Sequence, residues 1–312
     1  MRPYTLEEEK LLPNCTLCPR SCEANRFSEA SGFCKSDAGF GISSICCHKG
    51  EEPVISGGKG ICNVFFSRCN LQCIYCQNYH ISRNSGFIVE EKPRLKEIIK
   101  RICTILEQTE NMLGFVSPSH QVPQMMAIVR GLHKAGKHPV IVYNTNAYDK
   151  VETLRMLEGI IDVYLPDFKY ADPALAIEYS QAANYPEIAG LAIKEMYRQK
   201  GSSLIVNERN LAESGIIVRH LVLPGATGQS IEVLKYIAGE ISPNLHISLM
   251  SQYFPTEQVS GNQVLNRTLT PEEFNQVLEA FHRFGFYRGW LQDMDSQSVF
   301  RPDFRKEQPF FT

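Results

Sequence analysis

The stretch that decides the fold is Ile61-Cys62-Asn63-Val64-Phe65-Phe66-Ser67-Arg68-Cys69-Asn70-Leu71-Gln72-Cys73-Ile74-Tyr75-Cys76. Its first part, residues 61–67, is short, apolar on both faces and rich in branched and aromatic residues, which is typical of a buried parallel strand. Its second part places three cysteines in the spacing C-x3-C-x2-C directly after that strand. Parallel α/β folds bind their ligands at the carboxyl ends of the strands. The stretch therefore predicts both the fold class and the position of its site.

Five further runs of this kind follow and alternate with amphipathic segments. The six predicted strands are 61–67, 113–117, 139–143, 161–166, 216–223 and 245–250. The predicted helices are 95–106, 122–132, 151–157, 174–185, 187–199, 231–239 and a last one that begins at the N-cap Thr270, with Pro271 and Glu273 behind it. Six βα units in sequence imply a parallel sheet with right-handed crossovers. The pattern fits an open doubly wound sheet or a full or partial barrel.

The charges of the chain are balanced. Its 312 residues include 32 Lys and Arg against 34 Asp and Glu, for a formal net charge of -2. This balance argues against a charge-driven nucleic-acid binder and against a membrane-surface protein. The first ten residues lack the apolar core of a signal peptide, and no apolar stretch approaches the roughly 20 residues of a membrane span. We expect a cytoplasmic protein.

Cysteine is unusually frequent and unevenly placed. Ten of the 11 cysteines lie in the first 76 residues. An odd count in a chain without secretion features disfavours a disulfide framework and favours metal binding or redox chemistry. We predict a cysteine-rich metal-binding module over 1–56, an α/β domain over 57–295 and a C-terminal tail over 296–312.

The loop after the first predicted strand carries the candidate reaction centre. Cys69, Cys73 and Cys76 are thiolate ligands for an iron–sulfur cluster or for zinc. Three thiolates on a four-iron cluster leave one iron open, which is a catalytic arrangement. The alternative is a closed zinc or electron-transfer site completed by a distant cysteine.

Four more cysteines lie within 20 residues of one another near the N-terminus, and they are Cys15, Cys18, Cys22 and Cys34. Four thiolates fill a tetrahedral shell, so this set predicts a closed second site, with zinc as the first choice and an iron–sulfur cluster as the second. Cys46, Cys47 or Cys62 could replace one of the four. Cys103 lies in a predicted helix and fits a small buried apolar residue.

The spacing C-x3-C-x2-C, with the aromatic Tyr75 before the last cysteine, resembles the signature of the radical S-adenosylmethionine (SAM) superfamily. Within it, the chain resembles the pyruvate formate-lyase activating enzymes, in an N-terminally extended branch. The phrases that carry this resemblance are 64–67 (VFFS), 76–79 (CQNY), 143–146 (YNTN), 166–170 (PDFKY) and 219–225 (RHLVLPG).

The resemblance implies a partial (β/α)6 barrel. Cys69, Cys73 and Cys76 would hold a 4Fe–4S cluster, SAM would bind its fourth iron, and an electron donor such as flavodoxin or ferredoxin would reduce it. Cleavage of SAM would give a 5′-deoxyadenosyl radical that removes a hydrogen atom from a substrate, here a glycyl radical enzyme. The alternatives are another substrate (a peptide, a protein side chain or a small metabolite) and a non-enzymatic iron–sulfur or zinc protein.

The candidate SAM contacts follow the predicted strands, and they are Tyr75, Ser117, Ser119, His120, Asn144, Asp167, Lys169 and Gln252. Two carboxylates of the family pattern are missing, because Ser117-Pro118-Ser119-His120 replaces Gly-Gly-Glu and Asn144 replaces an aspartate. Other interpretations stay open: an Asp167–Lys169 ion pair, core packing of Tyr75, and a surface or core amide at Gln252. Arg219, inside an apolar run, is a paired residue of the barrel interior or an edge residue.

Overall fold

The computed structural model of the protein describes residues 3–28, 31–299, 301–306 and 308–310. The outermost residues of the predicted N-terminal module and C-terminal tail, 1–2 and 311–312, lie outside the described residues. The strands are β1 (Ile42–His48), β2 (Ile61–Phe66), β3 (Met112–Val116), β4 (Val140–Thr145), β5 (Val163–Pro166), β6 (Ile205–Val206), β7 (Ala212–Leu221), β8 (His246–Met250) and β9 (Gly289–Leu291). The helices are α1 (Leu6–Lys10), α2 (Pro53–Ser56), α3 (Tyr79–Ser82), α4 (Leu95–Leu106), α5 (Val122–Lys134), α6 (Val151–Met156), α7 (Pro173–Ser180), α8 (Tyr185–Lys200), α9 (Thr227–Glu240), α10 (Pro271–Arg283) and α11 (Ser296–Val299).

The strands form one sheet in the order β1-β2-β3-β4-β5-β7-β8-β9. All neighbours from β2 to β9 are parallel, whereas β1 pairs antiparallel with β2 and the short β6 pairs antiparallel with β7. The six predicted strands correspond to β2, β3, β4, β5, β7 and β8. The carboxyl ends of the strands from β2 to β9 line one common cavity, so the sheet curves around it. The predicted α/β fold class, a partial barrel behind a cysteine-rich N-terminus, is confirmed.

Successive residues of a strand point to opposite faces of the sheet and pack into two different apolar cores. In β4, Ile141 and Tyr143 pack with the helices, while Val142 joins the apolar cluster on the other face of the sheet. The predicted capping box of α10 is present, since Thr270 accepts from the backbone of Glu273 and Glu273 caps Thr270 in return.

The prediction of one helix over 174–185 is wrong in extent. The helix α7 ends at Ser180, because Gln181 adopts a left-handed conformation with a φ of 55°. A new helix, α8, begins at Tyr185 with Pro186 in its first turn, where the missing N–H of proline costs no hydrogen bond. Because the helix ends here, Ser180 lies at a helix end that faces the cysteine loop.

The N-terminal segment is held on the barrel by buried polar contacts. Arg26 is 2% exposed and donates to the carbonyl of His120 at 2.6 Å, and Arg130 on α5 donates to Glu8 at 2.7 Å. The strand β1 lies inside the span predicted as a separate module, and it extends the sheet at the edge of β2. The division into domains stays a prediction. No helix in the described part of the chain has the length and apolar character needed to cross a membrane.

Candidate functional site

A cavity of about 480 Å³ opens at the carboxyl ends of the parallel strands. Residues that follow or end β2, β3, β4, β5, β7, β8 and β9 line it, and the three cysteines of the loop after β2 lie on its wall. Parallel barrels place their ligand sites at this end because each strand contributes its last residues to one rim. The cavity is therefore where the sequence predicted the site.

Each sulfur atom of the three cysteines lies within hydrogen-bond distance of a polar side chain. Ser180 Oγ donates to Cys73 Sγ at 2.9 Å, and Asn146 Nδ2 donates to Cys69 Sγ at 3.4 Å. The hydroxyl of Ser82 lies 3.3 Å from Cys76 Sγ. Donors of this kind stabilise thiolates and orient them as ligands. Burial raises the pKa of the Cys69 thiol to about 12, so a bound cation is needed to hold it as a thiolate.

The backbone of the cysteine loop is fixed from outside. The side chain of Asn84 accepts from the N–H of Cys69 at 3.3 Å and donates to its carbonyl at 2.9 Å. The same amide nitrogen also donates to the carbonyl of Phe33, in the N-terminal segment, at 2.8 Å. One asparagine thus joins the loop to the segment that carries the other cysteine group.

The floor of the cavity carries a buried charge network around Arg219 on β7. Its guanidinium donates to Asp167 at 2.7 Å, to Glu51 at 3.1 Å and to the amide oxygen of Asn144 at 2.6 Å. Lys169 donates to the second oxygen of Asp167 at 2.7 Å. The network confirms that Arg219 is a paired residue of the barrel interior.

The ion pairs keep the side chains of this network charged. Burial alone would raise the pKa of Asp167, but the positive charges of Arg219 and Lys169 hold it below its usual value. Glu51 behaves in the same way: the effect of burial is outweighed by the hydrogen bond from His48 and the charges of His48 and Arg219, and its pKa is lowered. The polar floor is therefore preorganised before any ligand enters.

The two glutamates of this floor were not predicted from the sequence. Glu51 and Glu52 lie between β1 and α2, and both line the cavity. Arg219, the ion-pair partner of Glu51, is 168 residues away from it in sequence, so no local pattern connects the two. The only local signal is an acidic pair directly before Pro53. The structure places both carboxylates in the cavity at the strand ends.

The predicted SAM contacts divide into two groups. The cavity is lined by Tyr75, Ser117, Asn144, Asp167, Lys169 and Gln252. Ser119 and His120 do not line it: the Ser119 hydroxyl lies 3.1 Å from that of Thr145, and His120 Nε2 lies 2.9 Å from the carbonyl of Ser67. Burial lowers the pKa of His120 to about 4, so its ring is neutral.

The polar side chains that do line the cavity are already partnered in part. Lys169 forms the ion pair with Asp167 and keeps further N–H donors, because an ammonium has three. Gln252 accepts from Gln292 at 2.8 Å. Tyr75 is 5% exposed and packs edge-on against several tyrosine rings, with its hydroxyl 2.6 Å from that of Tyr170. Lys169, Gln252 and Tyr75 therefore each have structural contacts and also line the cavity.

The N-terminal cysteines lie in a separate place. Cys15, Cys18, Cys22 and Cys34 line one small enclosed cavity together with Arg26 and His120. His120 Nδ1 is buried without a hydrogen-bond partner among the described residues. Cys46, Cys47 and Cys62 belong to β1 and β2 and lie outside this cavity, and Cys103 is a half-buried residue of α4.

Within the described ranges, no three side chains of His, Cys, Asp or Glu are gathered as the ligands of one metal ion. The thiolates of a four-iron cluster each bind a different iron and need not converge on one point. The donor set after β2 fits such a cluster, because it consists of three thiols with donors at their sulfurs and a cavity beside them.

No protein-family model matches the chain. An uncharacterized protein of Methanocaldococcus jannaschii is similar in sequence. It is 28% identical over 282 residues, which cover 88% of this chain and 76% of that protein.

Several solved structures are similar in fold at low sequence identity. A radical SAM methyltransferase from Sphaerobacter thermophilus has 13% identity and a TM-score of 0.48, over 74% of this chain and 66% of its own. SuiB of Streptococcus suis, in a structure with S-adenosylmethionine, has 11% identity and a TM-score of 0.48, over 74% and 50%. The chain thus spans between half and two thirds of these proteins. At such values the likeness assigns no function, and the residues of the site carry the assignment.

Proposed function

We propose that this chain is a radical SAM enzyme, in which Cys69, Cys73 and Cys76 hold a 4Fe–4S cluster that leaves one iron open for SAM. The observation that carries the proposal is the position of these three thiols on the wall of the cavity at the strand ends, each with a hydrogen-bond partner at its sulfur. When bound, the reduced cluster supplies the electron that cleaves SAM to a 5′-deoxyadenosyl radical.

The chain's own residues would bind SAM and the substrate and orient them. Lys169 offers its free N–H donors to a carboxylate, and Ser117 and Asn144 offer hydrogen bonds at neighbouring strand ends. The Tyr75 ring provides an apolar surface beside the cluster loop, and the buried walls exclude water from a reactive intermediate. The fixed charges around Arg219 keep the polar floor in place while ligands exchange.

The test is anaerobic reconstitution with iron and sulfide, reduction, addition of SAM and detection of 5′-deoxyadenosine. We expect about four irons per chain at this loop, and loss of both iron and cleavage in Cys73→Ala. Cys103→Ala, in the helix α4, is the matched control and should keep both. An intact cluster without SAM cleavage would contradict the proposal and favour a non-enzymatic iron–sulfur protein.

We further propose that the hydrogen atom is taken from a partner enzyme, which becomes a glycyl radical enzyme, with flavodoxin or ferredoxin as electron donor. The support is the resemblance of the phrases 166–170 and 219–225 to activating enzymes. Deuterium transfer from a glycine-labelled partner into 5′-deoxyadenosine is the test. Deuterium that instead comes from a labelled peptide, protein side chain or small metabolite would assign one of these as the substrate.

The four N-terminal thiols are proposed as a second metal site, with zinc as the first choice and an iron–sulfur cluster as the second. The support is that all four line one small cavity beside His120, whose Nδ1 has no hydrogen-bond partner among the described residues. Since no three of these thiols are gathered around one point within the described ranges, their side chains must rotate inward to bind zinc. Metal analysis and Mössbauer spectroscopy distinguish the two metals. Cys18→Ser should lose this metal and keep the cluster at the loop after β2. An equal metal content in wild type and variant would contradict the second site.

A further inference from the structure

Glu52 is the buried acid that the charge network leaves unsatisfied. Its side chain lines the main cavity, the residue is 8% exposed, and its Oε2 has no hydrogen-bond partner among the described residues. A buried carboxylate oxygen without a hydrogen-bond partner is costly unless a ligand completes it. We therefore expect a ligand in the cavity to donate a hydrogen bond to this oxygen of Glu52.

The charges of the floor indicate which donor fits. The carboxylates of Glu51 and Asp167 face the cations of Arg219 and Lys169, two against two, and each of these four groups has an ion-pair partner within 3.1 Å. Within the described part of the chain, Glu52 adds a third carboxylate for which no salt bridge is found. The ring of His48 hydrogen-bonds to Glu51.

The backbone holds Glu52 in place. Its carbonyl accepts from the N–H groups of Ile55 and Ser56 at 2.7 and 3.0 Å, which fixes the first turn of α2. The hydroxyl of Ser56 in turn binds the backbone of Glu51. The side chain lies on the β7–β8 side of the cavity, beside Arg219 and Ser248. The cysteine Cys73 instead has Lys169 and Ser180 as neighbours.

We infer that Glu52 binds a positively charged amino group of the substrate, so that the substrate class is an amine or an amine-bearing residue. The inference rests on the proposed function, because it assigns the substrate of the same cavity. Burial, together with the like charge of Glu51, raises the pKa of Glu52 against the pull of Arg219, as expected for an acid that lacks its cation. A charge-assisted hydrogen bond in this desolvated place gives strong discrimination against neutral analogues.

The experiment measures binding of three matched probes to the reconstituted, SAM-loaded full chain by calorimetry: n-butylamine, n-butanol and butyrate. We expect n-butylamine to bind on the order of tenfold or more tightly than the other two. Glu52→Gln should remove this preference, Glu52→Asp should retain part of it, and Glu272→Gln, at an exposed position of α10, should leave it unchanged.

Three results would overturn the inference. They are equal binding of the three probes, a preference that survives in Glu52→Gln, and a loss of SAM affinity in Glu52→Gln as large as the loss of amine preference. The last result would assign the carboxylate to the amino group of SAM instead. Cluster content and SAM cleavage are measured on the same samples, so a failure of the proposed function is seen separately from a failure at Glu52.

Discussion

Replacement of Arg219 by methionine tests whether the buried charges of the site also stabilise the fold. Arg219 is paired with Asp167 at 2.7 Å and with Glu51 at 3.1 Å, and the three side chains are 13%, 17% and 8% exposed. Loss of one partner from a buried ion pair costs about 3–5 kcal/mol, because a charge stays buried without compensation. Since domains are stable by only about 5–15 kcal/mol, Arg219→Met should remove a large part of the free energy of unfolding.

The pH dependence of this loss has a defined sign. In the wild type the pKa values of Glu51 and Asp167 lie below their ordinary values of 4.5 and 3.8, so the stability that they contribute is present above those values and is lost as the pH falls through the folded-state values. In Arg219→Met the cation is gone while burial remains, so both folded-state pKa values rise. The variant's penalty should therefore be largest near pH 7 and shrink toward pH 4.

Urea unfolding of the two proteins at pH 7, 5.5 and 4.5 measures the difference directly. Lys235→Met is the control, because its pair with Glu232 is 62% and 56% exposed and surface pairs contribute about 0–1 kcal/mol. A loss below about 1 kcal/mol in Arg219→Met, or a loss that does not shrink as the pH falls, would refute the reasoning.

Two further predictions concern the cluster and the sheet. Ser180→Ala removes the 2.9 Å donor to Cys73 Sγ, so the reduction potential of the proposed cluster should fall by on the order of 40 mV in a redox titration followed by EPR, whereas Ser180→Thr should stay near wild type. Gly114→Ala would bring its Cβ into collision with the Asn63 side chain and should destabilise the protein, whereas Gly239→Ala meets nothing within 4 Å in α9 and should stabilise it by about 0.5–1 kcal/mol. Thermal unfolding of the two glycine variants checks this contrast, and equal shifts would contradict it.

The sequence predicted what is encoded locally. The strand and three-cysteine loop of 61–76, the six parallel strands and the capping box at Thr270 all follow from apolar pattern and spacing, and the structure has them. The strand β1 was not predicted, because its ISSICCH sequence combines serines and cysteines without a clear alternation of apolar and polar residues. It is an edge strand whose pairing with β2 determines its conformation.

The part of the site that could not be predicted depends on contacts between distant residues. The interaction of Glu51 with Arg219 joins residues that are 168 positions apart, and the sequence around either residue gives no indication of the other. His120 shows the reverse case. Its place after the second parallel strand suggested a cavity residue, but a left-handed turn at Ser117, with a φ of 52°, leads the chain into a short 3-10 turn whose His120 ring lies near Ser67.

The edge strand β1 has a consequence for how this chain can be divided. It leads directly into Glu51 and Glu52, which place carboxylates inside the barrel, where Glu51 pairs with Arg219. A barrel cut before β2 would keep every cysteine of the C-x3-C-x2-C loop and lose Glu51 and Glu52, two of the three carboxylates near Arg219. The N-terminal segment therefore cannot be exchanged freely for that of another barrel. Any recombination or truncation must carry residues 42–60 together with β7, because the buried ion pair of Glu51 with Arg219 joins these two parts of the chain.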